Sequence, residues 1–210
     1  MTASHREARA GDRWPGRAAF SLVELLIVLA LMIILYFMLF SSGSRSHQRR
    51  QQAVCRQNLQ FIHLALQMYA GDEANRYPAA TGATTSEAPL GLLVPRYTAR
   101  TDIFICPGSG HRKLPDAQPF TRRKISYAYL MGLTNGAPAD QWLMSDAQTH
   151  LRPKEVGEVL FALEKNQAGN NHRQFGGNLL FCDGRTEFSP SLARARLAVP
   201  TNTVPLNPKP

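Results

Sequence analysis

From Phe20 to Phe40 the chain is apolar at every position except Ser21 and Glu24. Coiled at about 1.5 Å per residue, such a run spans roughly 30 Å, the thickness of a bilayer's hydrocarbon core. The pattern predicts a transmembrane helix. Further on the apolar positions become periodic. Cys55, Leu59, Ile62, Leu66 and Tyr69 recur at spacings of four, three, four and three, which marks one face of a second, amphipathic stretch. No proline interrupts residues 20–77, and Gly43 is the only weak point before Gly71. One helix is therefore predicted from about Phe20 to Ala70, roughly 75 Å long, with Ser-Ser-Gly-Ser at 41–44 as a candidate bend. Its second half uses the apolar stripe to hold a globular domain.

After Gly71 the pattern shortens and turn residues punctuate it. Residues 79–88 read as a loop, and Leu90–Val94 as one or two helical turns ended by Pro95. Asp102–Cys106 reads as a short strand stopped by Pro107. Lys124–Leu130 alternates Ile125, Tyr127 and Tyr129 with smaller or polar residues, as a strand does. Trp142–Met144 and Val159–Leu163 are further short strands. Asn178–Phe188 reads as a hairpin whose Asp183-Gly184 pair forms a two-residue turn, both central positions wanting positive φ. Residues 195–210 are rich in proline with little apolar mass and are expected to be a disordered tail. The sum is an α+β fold, a small antiparallel sheet packed on the second half of a long N-terminal helix.

Glu24 changes the picture of the apolar helix. A carboxylate inside such a run costs on the order of 2.5–3.5 kcal/mol on insertion scales, so it calls for a partner. The preceding residues 1–19 are polar, with Arg6, Arg9, Arg13 and Arg17 against Glu7 and Asp12. A cut between Ala19 and Phe20 would place a new amine one helical turn from Glu24, in the same chain or in a neighbouring copy. Low dielectric makes such a pair strong once formed and costly when broken. The bland alternative is a plain signal anchor with Glu24 near the membrane edge. A cleavable secretory signal fits worse, because its apolar region runs about 7–15 residues and ends in an A-x-A-like site.

The formal net charge of +9 is partly local, since Arg45, Arg49, Arg50 and Arg56 follow the apolar run directly. That cluster is read as lipid head-group contact rather than as a nucleic-acid surface. Charge counting at the helix ends would by itself keep the large domain in the cytoplasm.

The segment AFSLVELLIVLALMIILYF resembles the prepilin cleavage and methylation signal of type IV pilins and type II secretion pseudopilins. The resemblance implies that a prepilin peptidase removes residues 1–19 and methylates the amine of Phe20, with Glu24 as the assembly carboxylate. Ala19 stands before the cut where the family usually has Gly. The segment CRQNLQFIHLALQMYAGDEANRYP resembles the start of the soluble domain in a pseudopilin-like group that ends in a His…Asp-Gly motif. His172 with Asp183 and Gly184 matches that signature in kind, with ten intervening residues where nine are usual. Cys55 and Cys106 match positions where that group often has Cys, which implies a possible disulfide and leaves Cys182 free and buried. The alternative is that all three are small core residues.

The resemblance thus implies a leader at 1–19, a membrane segment at 20–40, the soluble half of the helix at 41–71, a pilin-like domain at 72–194 and the tail at 195–210. It implies a single-pass protein of the bacterial inner membrane with its domain on the periplasmic side, against the charge count. Its expected partners are the peptidase, the inner membrane and other pilin or pseudopilin subunits in a filament.

Candidate chemistry adds little. There is no nucleophile elbow, no paired catalytic carboxylates and no phosphate-binding Gly loop, and Asn166–Asn178 lacks the lysine and spacing of one. The chain is not expected to be an enzyme. A metal reading would use His172, Asp183 and either Asp146 or His150. Calcium, which related major pseudopilins bind, wants six to eight oxygens, and zinc wants three or four close His, Cys or carboxylate ligands. Cys55, Cys106 and Cys182 lie far apart in sequence, so no metal and no cofactor is expected. Two rival classes remain: a single-pass anchored enzyme or metal-binding protein, and a DNA-uptake pilin using its basic surface.

Overall fold

The computed structural model describes residues 21–41, 43–112, 114–118, 120, 123–164, 167, 169–172 and 175–210. The chain divides into two units, residues 1–43 and 44–210. The predicted leader, with Ala19 and Phe20, lies outside the described residues.

In the first unit, helix α1 runs Leu22–Ser41. Its apolar side chains are exposed all round, from Leu22 to Leu39, as expected of a helix whose solvent is lipid. It is long and apolar enough to cross a membrane, a property that an N-terminal signal sequence shares. Helix begins again as α2, Gly43–Asp72, with residue 42 outside the described set. α1 and α2 cover the span of the predicted helix on either side of residue 42.

In the second unit α2 buries the predicted stripe. Cys55, Leu59, Ile62 and Leu66 are fully buried, Ala65 and Ala70 nearly so, and Tyr69 is half-buried. They share one core with a five-stranded antiparallel sheet: β1 Tyr127–Met131, β2 Trp142–Asp146, β3 Gly177–Phe181, β4 Thr186–Ser189 and β5 Val204–Leu206, in the order β4-β3-β2-β1-β5. The middle strands are buried along nearly their whole length, so they read as short apolar runs rather than clean alternation. Polar side chains also tie α2 to the sheet. Arg56 Nε donates to Thr186 Oγ1 at 2.8 Å, and Asn58 Nδ2 to the Tyr127 hydroxyl at 3.3 Å.

Four expectations need correction. Residues 195–210 are not a disordered tail: β5 pairs with β1, setting Tyr129 opposite Leu206 and Met131 opposite Val204. An edge strand tolerates Pro205, whose missing N–H the ladder does not need. The rest of the tail is held by hydrogen bonds, Ser86 N to Asn207 O at 2.9 Å and Lys209 N to Glu87 Oε1 at 2.9 Å. Asp102–Phe104 is a 3-10 turn, not a strand. Its amides close locally on Thr101 and Asp102 carbonyls, and Phe104 O accepts one sheet-type bond from Ser126. Val159–Leu163 forms only an isolated bridge between Val159 and Leu192. The β3–β4 hairpin also closes differently. Phe181 N donates to Arg185 O, and Gly184 alone takes positive φ, at 83°. Three residues then form the loop, a geometry that asks for one left-handed residue instead of two. Leu90–Val94 is helical as expected, as α3 Glu87–Leu90 followed by a 3-10 turn, Gly91–Leu93.

Candidate functional site

Glu24 lies in the first turn of α1. The amides of Glu24 and Leu25 donate to Ser21 O at 3.0 and 3.2 Å, so Ser21 opens the helix. Ser-x-x-Glu at a helix start is a capping pattern, and a carboxylate in the first turn lies in the favourable field of the helix dipole. This local reason for an acidic residue was readable in Ser21 and Glu24 and is independent of any cut. The flanking Arg49, Arg50 and Arg56 are exposed.

The other motif residues are built on the second unit, and the fold sorts them into two places. Asp183 and Gly184 form the β3–β4 loop. Asp183 Oδ1 accepts the Arg185 amide at 2.8 Å, which shapes the turn. Gly184 packs so closely that a Cβ there would lie 2.9 Å from His63 Cε1. Cys182, in the same loop, is a free, buried thiol pushed up to about 11 by burial, which keeps it protonated.

His172 is elsewhere, in a buried cluster. α2 supplies Cys55, the segment after the 3-10 turn supplies Cys106, the end of β2 supplies Asp146, and the loop before β3 supplies His172. Cys55 and Cys106 are joined as a disulfide with Cα atoms 5.3 Å apart. His172 Nε2 lies 3.3 Å from Cys106 Sγ and 3.4 Å from Asp146 Oδ2. Each of the four side chains is buried and offers one donor atom, and these atoms all lie within 4.8 Å of one another.

The surroundings hold the cluster in place. Asp146 Oδ2 accepts the Asn178 backbone amide at 2.7 Å and Asn178 Nδ2 at 3.1 Å, and its Oδ1 accepts Asn171 Nδ2 at 2.9 Å. Three donors on a carboxylate with no exposed surface compensate its lost hydration. Gly108 lets the chain pass over the imidazole: a Cβ there would collide with Asn171 O and sit 2.8 Å from His172 Nδ1. A cavity of about 640 Å³ opens beside the cluster, lined by Thr84, Gly108, Ser109, His111 and Asn171 among others.

The structure thus brings Cys55, Cys106, Asp146 and His172 together and leaves Asp183 and the exposed His150 out of that group. The sequence distances between cysteines argued against a metal-type donor set. The fold supplies one by joining two cysteines to a His and an Asp from two other parts of the chain. What the described residues establish is an N-terminal apolar helix followed by a helix packed on an antiparallel sheet, a pilin-like architecture. Comparison with protein families, with curated proteins and with solved structures finds no match for the chain.

Proposed function

We propose that this protein is a structural pilin or pseudopilin subunit. It is processed by a prepilin peptidase and assembled through its N-terminal helix into a type II secretion pseudopilus or a type IV pilus-like filament. The carrying observation is a fully apolar helix with one carboxylate in its first turn, followed by a separate α+β unit. Before assembly α1 rests in the inner membrane as a single span, with residues 44–210 on the periplasmic side. Removal of residues 1–19 frees an ammonium on Phe20. Helices of neighbouring subunits pack side by side, and the Glu24 carboxylate of one meets the Phe20 amine of the next. That pairing sets the axial register and offsets the cost of the buried charge. The subunit performs no catalysis in this role.

A second reading, a single-pass anchored metal-binding protein that does not polymerise, draws on the buried donor cluster. Mass spectrometry of the mature N-terminus in a host with an active prepilin peptidase separates the two. An N-methylated chain beginning at Phe20 supports the filament subunit. A chain that keeps Met1, or loses only Met1, overturns it.

A further inference from the structure

The most unusual chemistry of the chain lies far in sequence from its apolar helix. Two cysteines, a histidine and an aspartate, from four segments, aim donor atoms at one buried point. A disulfide alone does not need the other two. A buried carboxylate and a buried imidazole are both costly to place in a core, yet Asp146 and His172 stand against the sulfurs with no exposed side-chain surface.

Two of their separations suit a small tetrahedral ion. With metal–sulfur bonds of about 2.3 Å and metal–nitrogen and metal–oxygen bonds of about 2.0–2.1 Å, the sulfur–nitrogen and nitrogen–oxygen edges of the tetrahedron are roughly 3.6 and 3.3 Å. The corresponding separations are 3.3 Å for Cys106 Sγ to His172 Nε2 and 3.4 Å for His172 Nε2 to Asp146 Oδ2. The outer support is of the kind that orients ligands. An ionised carboxylate has about four lone-pair sites; the two N–H groups of Asn178 take both on Oδ2 and Asn171 Nδ2 takes one on Oδ1, which leaves one on Oδ1. His172 Nδ1 has no hydrogen-bond partner among the described residues, so the ring's polar contacts are all at Nε2.

We infer that, with Cys55 and Cys106 reduced, their thiolates join His172 Nε2 and the Asp146 carboxylate in a tetrahedral Zn²⁺ site, so that a zinc ion and the disulfide are alternative cross-links between α2 and the chain at residue 106. Two thiolates with one imidazole and one carboxylate select a borderline-soft tetrahedral ion over calcium or magnesium. A dithiol reductant passes two electrons to the Cys55–Cys106 bond and becomes a disulfide, leaving two protein thiols. Zn²⁺ then displaces the two thiol protons to solvent as the sulfurs move apart to an edge of roughly 3.8 Å. Gly108 and Asn171, close to Cys106 and His172 in sequence, line the neighbouring cavity. In either state the link between residues 55 and 106 persists, so the core around it keeps its closure under oxidising and reducing conditions alike. The inference stands whether or not the leader is cleaved.

The test uses the full chain in detergent with Co²⁺ and Zn²⁺ as probes. The reduced protein is expected to bind one Co²⁺, giving thiolate charge-transfer bands and the strong visible bands of tetrahedral cobalt, which Zn²⁺ then abolishes. The disulfide form is expected to give neither. Zn²⁺ should protect Cys55 and Cys106 from alkylation in the reduced chain, read against the same chain without zinc. Asn178→Ala, which removes a support of Asp146 but no ligand, is expected to weaken binding about 10–100-fold. His172→Ala should remove the tetrahedral spectrum. If that variant does not fold, the comparison of reduced with oxidised wild-type protein decides. The inference is overturned if reduced, folded protein shows no charge-transfer band. It is equally overturned if Zn²⁺ binds the disulfide form as tightly, or if Cys55→Ser binds cobalt with an unchanged spectrum.

Discussion

Replacing both Cys55 and Cys106 by alanine should cost a large share of the stability of the unit formed by residues 44–210. The bridge closes a loop over a sequence separation of 51. In the chain-entropy account, constraining a loop of that size in the denatured ensemble contributes about 4 kcal/mol at room temperature. Both cysteines are fully buried in the main core, so the lost sulfurs add a cavity term on the order of 1 kcal/mol. Against a total of about 5–15 kcal/mol for an ordinary domain, a loss of about 3–5 kcal/mol brings the variant close to its unfolding threshold. Urea unfolding of the full chain in detergent, with a chelator present, measures it. The reporter is the fluorescence of Trp142, which is buried in β2. The midpoint should fall and the slope rise, because the denatured chain without its cross-link exposes more surface. A loss below about 1 kcal/mol with an unchanged slope would refute the argument that this long loop is what the bridge restrains.

Three other perturbations probe separate links. Gly108→Ala would push a methyl into Asn171 O and the His172 ring, and a loss of about 1–3 kcal/mol is expected; an unchanged urea midpoint would show that the segment gives way. Glu24→Ala should leave membrane insertion and leader removal intact while abolishing incorporation into filaments, read by shearing and immunoblotting; normal incorporation removes the assigned role. His63 and His111 are both lowered from their ordinary value of 6.5, chiefly by burial. The unfolded chain therefore takes up protons first, so their contribution is whole above that value and is lost as pH falls from 6.5 toward the depressed folded values. Urea midpoints between about pH 7 and pH 5 should fall, and a His63→Gln/His111→Gln variant should flatten that slope; an equally steep fall in the variant would assign the effect elsewhere.

The parts of the fold legible in the sequence are those written by local periodicity. The apolar run at 22–39 and the stripe from Cys55 to Leu66 are one-dimensional patterns, and the helices follow them. The strands β1, β2 and β3 were visible as short runs of aromatic and aliphatic residues. The misread segments depend on what lies beside them. Val204–Leu206 has the composition of a loose tail and becomes a strand because β1 offers it an open edge. Residues 102–104 and 159–163 have the composition of strands and do not become them, because the first closes locally in a 3-10 turn and the second makes one bridge and scattered bonds to Ser191 and Gly169 in place of a ladder. Backbone groups go where hydrogen-bond partners are, and a composition does not say where that is.

The same reasoning explains why the four donors, each named from the sequence, were not legible there as one cluster. Metal motifs are recognised in sequence when ligands share one turn or one helix face, since spacing then fixes geometry. Here residues 55 and 106 are brought together by the return of the chain onto α2, residue 146 ends a central strand, and residue 172 caps the approach to the next. No pair shares a local element, so no spacing encodes them. A signal did exist in a weaker form. Asp146 ends a strand that is otherwise apolar save Ser145, and a carboxylate at a position buried on both faces requires compensation from elsewhere in the chain. The asparagines that supply it, Asn171 and Asn178, flank the one histidine of the terminal motif. His172 is thus placed by the chemistry of β2, while Asp183 and Gly184 shape the β3–β4 loop, so the fold holds them in separate places.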